Sequence, residues 1–279
     1  MPFFRSSPST GGRFSSNRLS GTHGDGLALI AEVAIGRLVR RRRVEYLAVI
    51  VRDKLDSFLL VKQHDNALAS GEFARHWARE PWPLEPTLYA IAQHDVAWQG
   101  PDAAVRWNEE AGRPYSFMDY PSEPKVAAYA AGLDLLEAED PYAACLCSMH
   151  YETLVRRSKS EAERRFGEAE LSRQRRLRAA MSGEELESLE HNLRFLKLCD
   201  GLSLFVCLNE PGENESPPPY PEGFVLDGQK FEPVWENRGT LSLRPNPFSE
   251  PFDLVIPYLL VGKDGREMES DTLRLRVTC

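Results

Sequence analysis

No apolar run in this sequence is long enough to cross a bilayer. The two longest, Leu202 to Leu208 and Leu254 to Val261, fall far short of the roughly 20 residues a spanning helix needs, and Pro257 interrupts the second. Cysteine is scarce. Cys145, Cys147, Cys199, Cys207 and Cys279 are odd in number and include no CxxC pair, so neither a disulfide framework nor a thiolate zinc site is supported. Four of them stand in helical or apolar contexts, as buried thiols of a reducing cytoplasm do. A basic excess is missing too. The formal net charge of −8 argues against a whole-protein electrostatic grip on nucleic acid, though not against local basic patches. Internal repeats are absent.

What is present fits a soluble globular chain, since 42% of residues are hydrophobic and 27% charged. Its 279 residues suffice for one large domain or two small ones. Residues 1–43 hold eight arginines against Asp25 and Glu32 and read as a flexible basic extension. Two apolar segments, Tyr46 to Val51 and Phe58 to Val61, predict a β-hairpin that leads directly into helix. From His64 to about residue 207 the apolar spacing is mostly helical, so 44–210 is expected to form a helical domain. The stretch 211–223, "PGENESPPPYPEG", is a linker by composition, and 224–279 read as short strands with a turn at Lys263 to Gly265. The expected architecture is therefore mainly α, a helical bundle carrying an N-terminal hairpin and a C-terminal β-rich segment, whose β parts pair into one sheet.

Three helical segments place ionisable groups where apolar residues would normally sit. In "QHDNALASGEFARHW", His64, Leu68, Gly71 and Arg75 share one face at 100° per residue. In "TLYAIAQHDVAW", Ile91, His94, Asp95 and Trp98 lie along one side. In "EELESLEHNLRFLKLCDGLSLF", Leu189, Leu193, Leu196 and Asp200 form one stripe, which turns Asp200 inward. An unpaired carboxylate on an apolar face costs several kcal/mol, so it is protonated, paired or bound to a cation. Imidazoles aimed at the same interior supply neutral nitrogen donors. Two of them with two carboxylates suit a divalent ion such as zinc, manganese, iron or cobalt.

The order of a histidine, a His-Asp dyad some thirty residues on, and a distant aspartate before an apolar run resembles the HD-domain superfamily of metal-dependent phosphohydrolases. That resemblance covers residues 64–207 and implies a helical bundle with His64, His94, Asp95 and Asp200 as metal ligands. The phrases "QHDNALASGEFARHW", "IAQHDVAW", "GRPYSFMD" and "DPYAACLCSMH" also resemble a bacterial family of unknown function. Residues 99–140 and both β-rich parts are additions to the HD pattern.

Around this set stand further candidates. His150 lies four residues after Leu146 on a helix that Asp140 and Pro141 begin, and it is a candidate for a second metal or for substrate phosphate. Asp65 is a candidate for acid–base work beside Asp95, which would bridge two ions if two were bound. Arg75, Trp98 and Arg113 are candidate substrate contacts, Arg113 within an aromatic insert that also holds Trp107, Tyr115 and Phe117. The run Val155 to Met181 carries nine basic and four acidic residues and reads as a solvated helix face supported by Glu161 and Arg165. Together these features predict a metal-dependent hydrolase of a small phosphate ester or nucleotide, with no membrane partner and no nucleic acid. Two alternatives are an HD-like di-iron oxidoreductase and a non-catalytic module that keeps its metal for stability.

Overall fold

A computed structural model of the chain describes residues 50–103, 106–213 and 224–279. The basic extension at 1–43 and most of the 211–223 linker lie outside the described residues. Strands β1 (Ile50–Asp53) and β2 (Ser57–Val61) form the hairpin, followed by helices α1 (Gln63–Arg75) and α2 (Leu84–Gln93). Two short 3-10 turns, Val96–Trp98 and Pro101–Ala103, and a two-stranded ribbon of β3 (Trp107–Asn108) and β4 (Arg113–Pro114) lead to α3 (Ser122–Glu139). Helices α4 (Pro141–Val155), α5 (Glu161–Arg178) and α6 (Gly183–Leu208) complete the helical layer. The chain ends in strands β5 (Phe224–Leu226), β6 (Gln229–Asn237), β7 (Thr240–Arg244), β8 (Phe252–Gly262) and β9 (Glu267–Thr278).

The mainly α expectation is corrected by the strand content. Among the described residues the fold is about 48% helical and 26% strand, with six helices against a curled, seven-stranded half-barrel rather than a helical bundle with β appendages. Strand order is β1-β2-β8-β9-β7-β6-β5, antiparallel except for the β7–β9 pair. The hairpin and the C-terminal strands thus belong to one sheet, joined where β2 pairs with β8 from Ser57↔Gly262 to Leu60↔Leu259. Of the C-terminal strands β5 and β7 are short, at 3 and 5 residues, whereas β6, β8 and β9 run for 9, 11 and 12. Buried Phe252, Leu254 and Ile256 alternate with exposed residues on β8, the period-2 pattern of a sheet with one face packed.

That face packs on the helices through aromatics. Phe73 of α1 meets Phe252 edge-on at 5.8 Å, Trp77 meets Phe231 at 5.1 Å, and Phe205 of α6 stacks with Trp235 at 6.2 Å. Sheet and helices therefore share one core. Where the local signals were strong, they decided element ends. Asp140 caps α4 by accepting from the Ala143 amide at 2.9 Å, and Ser182 with Glu185 forms a capping box at the start of α6.

The helical packing sets up the site. The Asn192 amide of α6 donates to the Trp82 carbonyl and reaches Thr87 Oγ1 of α2 at 2.9 Å and Tyr142 Oη of α4 at 2.7 Å. Seven or eight residues further along, about 11–12 Å at helical rise, stand His94, His150 and Asp200, which again meet each other. Helices α2, α4 and α6 therefore run in the same direction and present their polar residues at matched levels. Region 99–140, expected as an insert, contributes α3, and Gly132 brings that helix down onto the turn after the dyad. A Cβ at Gly132 would stand 2.6 Å from Ala97 Cα.

Candidate metal centre

The dyad occupies a joint between two helices. His94 ends α2 with φ −58° and ψ −26°, and Asp95 opens the 3-10 turn with φ −106° and ψ 21°. The bend lets both adjacent side chains stay inside, at 1% and 6% exposure. Two neighbours hold it: the Tyr151 hydroxyl donates to the His94 carbonyl, and the Trp98 amide donates to the Asp95 carbonyl at 3.0 Å.

His94 Nδ1 lies 2.8 Å from the Ile91 carbonyl, so that nitrogen carries the proton and donates it. The lone pair is left on Nε2. This atom is buried, makes no hydrogen bond, and lies 3.4 Å from both Asp95 Oδ2 and Asp200 Oδ1. A lone pair facing two carboxylates is stable only with a cation between them, either a proton or a metal ion. Donors about 2.1 Å from an ion at tetrahedral angles stand about 3.4 Å apart, which is the spacing found. His150 completes the group from α4. Its Nε2 is 3.9 Å from Asp200 Oδ2, its ring meets that of His94 edge-on at 5.3 Å, and ligand atoms of His94, His150 and Asp200 all fall within 4.8 Å of one another.

Electrostatics agree with this geometry. Burial opposes protonation of His94, but the Asp95 and Asp200 carboxylates outweigh it and raise its pKa. Burial raises Asp95 against the attraction of His94. At His150 burial dominates and pushes the ring down to about 3, so it stands as a neutral donor. Asp200 is oriented by Asn66, whose amide donates to Oδ1 at 3.1 Å. Asn66 is itself fixed, its carbonyl accepting from Ser70 and Ser203 hydroxyls at 2.9 Å each.

Compared with known proteins, the chain matches the family model described as "Protein of unknown function (DUF3891)" over residues 49–263. The chain belongs to this family. No curated protein and no solved structure matches it. The DUF3891 match takes in His64, Asn66, the dyad, His150 and Asp200, and it ends before β9.

Of the four ligands read from sequence, this DUF3891 chain brings His94, Asp95 and Asp200 together and adds His150. His64 borders the group without joining its three-residue convergence. Its Nε2 is 3.0 Å from the Gln99 amide nitrogen, and its backbone N–H donates to Asp102 Oδ2 at 3.2 Å. Burial lowers its pKa, Asp65 counters this, and His94 lowers it again. Asp65 is half-buried in the first turn of α1, raised by burial. Asp102, 9% exposed, is pushed by burial up to about 8.

The expected substrate contacts lie elsewhere, His150 excepted. Arg75 pairs with Glu72 at 2.9 Å on the surface, eleven residues and about 16 Å along α1 from His64. The Trp98 ring is 1% exposed and packs edge-on against Tyr120 and Tyr129 at 5.5 and 5.6 Å, a core role. Arg113 pairs with Asp119 at 2.8 Å within its own loop. Trp107 of the same insert covers Phe58 on the sheet at 5.8 Å. Asn66, Gln99, Asp102 and Tyr151 were not singled out from sequence. Asn66 had one legible signal, its i, i+4 spacing from Ser70 on a face of small residues.

Among the described residues no helix is long and apolar enough to cross a membrane.

Proposed function

We propose that this chain is a metal-dependent hydrolase of a small phosphate ester or nucleotide, its ion held by His94, His150 and Asp200 with Asp95 as fourth donor. The observation that carries the reading is the buried His94 Nε2, unbonded and equidistant from two carboxylates. Manganese, zinc, iron or cobalt suits this donor set and supplies Lewis acidity for displacement at phosphorus. The chain's own groups do the rest. His94 keeps its ring plane through Ile91, and Asn66 holds Asp200 in place. Half-buried His64 and Asp65 with exposed Gln99 make a polar edge beside the cluster, where a small polar substrate is bound and where burial raises the pKa of the Asp65 carboxyl. The HD-domain resemblance rests here on His94, Asp95 and Asp200, since His150 follows the dyad where that pattern has its first histidine before it. The net charge of −8 favours a small molecule over nucleic acid as substrate.

The test is elemental analysis of the purified chain, joined to hydrolysis of phosphate monoesters and nucleotides with each metal restored. One zinc, manganese or cobalt per chain, with turnover lost in His94→Ala and in His150→Ala, is the expected result. A chain that takes up no ion, with His94 protonated between the carboxylates, overturns the reading. His150 in the cluster and His64 beside it favour one second reading, an iron-dependent oxidoreductase, which two irons per chain would select.

A further inference from the structure

A slot of about 140 Å³ lies between the sheet edge and the end of α6, lined by Arg52, Lys54, Cys207, Glu210 and Tyr258 among others. Its volume is on the order of a few waters, enough for a carboxylate or phosphate group. Arg52 stands on the edge strand β1 with its side chain only 12% exposed. One arm is anchored, since Nη1 donates to the Asn209 carbonyl, and this fixes the guanidinium plane. The other edge is underused. Nε is buried without a hydrogen-bond partner, and Nη2 reaches only Glu210 Oε2 at 3.4 Å, longer than the ~2.7–2.9 Å of a charge-assisted hydrogen bond. Lys54 Nζ lies 3.4 Å from that same oxygen.

The Nε–Nη2 edge of an arginine is the fork that takes two oxygens of an oxyanion side by side. Glu210 Oε2 marks the spot between two cations where an oxyanion oxygen would sit, and it fills that spot loosely. Glu210 is 36% exposed and follows the end of α6, so it can swing out. Among the residues that line the slot, two cations stand against one carboxylate.

We propose that this slot binds a small oxyanion, a carboxylate or a phosphate group, on Arg52 and Lys54, and that Glu210 is the built-in competitor the ligand displaces. The slot shares no residue with the His94, His150 and Asp200 cluster, and the inference does not depend on the hydrolase reading.

Titration calorimetry of the full chain, stripped of metal and dialysed free of chelator, tests this with sodium acetate and with inorganic phosphate as probes. One anion per chain is expected, and the tighter of the two names the chemical group. Glu210→Gln removes the competitor and tightens binding by about tenfold, whereas Arg52→Lys and Lys54→Gln each weaken it by a comparable factor. Glu210 and Lys54 are partly exposed, so their variants keep the test decisive should Arg52→Lys disturb the Asn209 contact. Failure of Glu210→Gln to bind either anion overturns the proposal. So does binding that survives Arg52→Lys but is lost in His94→Ala, because the anion would then sit at the metal cluster.

Discussion

Helix α4 carries two buried polar residues two positions apart, Ser148 and His150, which look in different directions into different surroundings. Ser148 faces α5 and donates to Glu170 at 2.8 Å. Glu170, only 2% exposed, also accepts from Arg173 at 3.0 Å, and Arg173 continues to Glu137 and Asp134 at 2.6 Å each. Every charged group in this network has a partner at bonding distance. On the other side, His150 faces Asp200 and His94, where distances of 3.4–3.9 Å are too long for hydrogen bonds and an imidazole nitrogen is left unbonded. Both regions bury charge against the same helix. Only the second leaves its bonding capacity unmet, so unmet capacity rather than buried charge distinguishes a site from a structural ion network.

The largest effect expected is on the satisfied side. Glu170→Ala strips Arg173 and Ser148 of a shared buried acceptor and costs about 3 kcal/mol. Denaturant unfolding should show the same loss with and without added metal, and a loss that metal restores would erase the contrast between the two regions.

The metal side should behave in the opposite way. At metal concentrations near 100 times Kd the wild type gains about 2.7 kcal/mol, and Asp95→Ala gains almost none. In chelator the order changes. Removing one of two carboxylates that face a common buried nitrogen relieves their repulsion, so metal-free Asp95→Ala should unfold at the wild-type temperature or slightly above it. Strong destabilisation of Asp95→Ala in chelator, with no gain by wild type from metal, would make Asp95 a structural residue like Glu170.

A third test concerns what positions the dyad. Gly132→Ala places a methyl group 2.6 Å from Ala97, two residues after Asp95. It should cost about 1–3 kcal/mol by overpacking and also weaken metal affinity in titration. Lower stability with full metal affinity would show that α3 supports the fold without setting the site. The smallest effect belongs to the surface. Arg165→Ala removes an exposed pair with Glu161, 2.9 Å apart at i, i+4, and should change stability by about 0.5 kcal/mol or less.

Legibility followed the kind of pattern each element carries. The stripe Leu189, Leu193, Leu196, Asp200 on α6 is buried as its spacing indicates, and Ile91, His94, Asp95 and Trp98 are buried too, although α2 ends at the dyad and a bend carries Asp95 and Trp98 inward. The first helix is different. His64, Leu68, Gly71 and Arg75 were read as its inward face, yet Leu68 is 42% exposed and the buried face runs through Asn66, Ala67, Ser70, Phe73 and Ala74. A Cβ at Gly71 would stand 2.7 Å from Ala92 Cβ, so the helices approach through small residues, and small residues carry almost no hydrophobic periodicity.

Local chemistry, then, was decided by the sequence alone: the inward dyad, the inward Asp200, the Asp140 cap and the free buried cysteines, because each depends on neighbours within a turn or two. Tertiary structure decided the rest. Helix α4 is buried on nearly all sides, so its own period could not say which way His150 points. That became fixed only when α2, α4 and α6 were laid side by side at matched levels. Likewise, pairing of β2 with β8 spans some two hundred residues, and no local signal reports a contact at that separation. The half-barrel and the place of His150 in the cluster are both products of long-range packing.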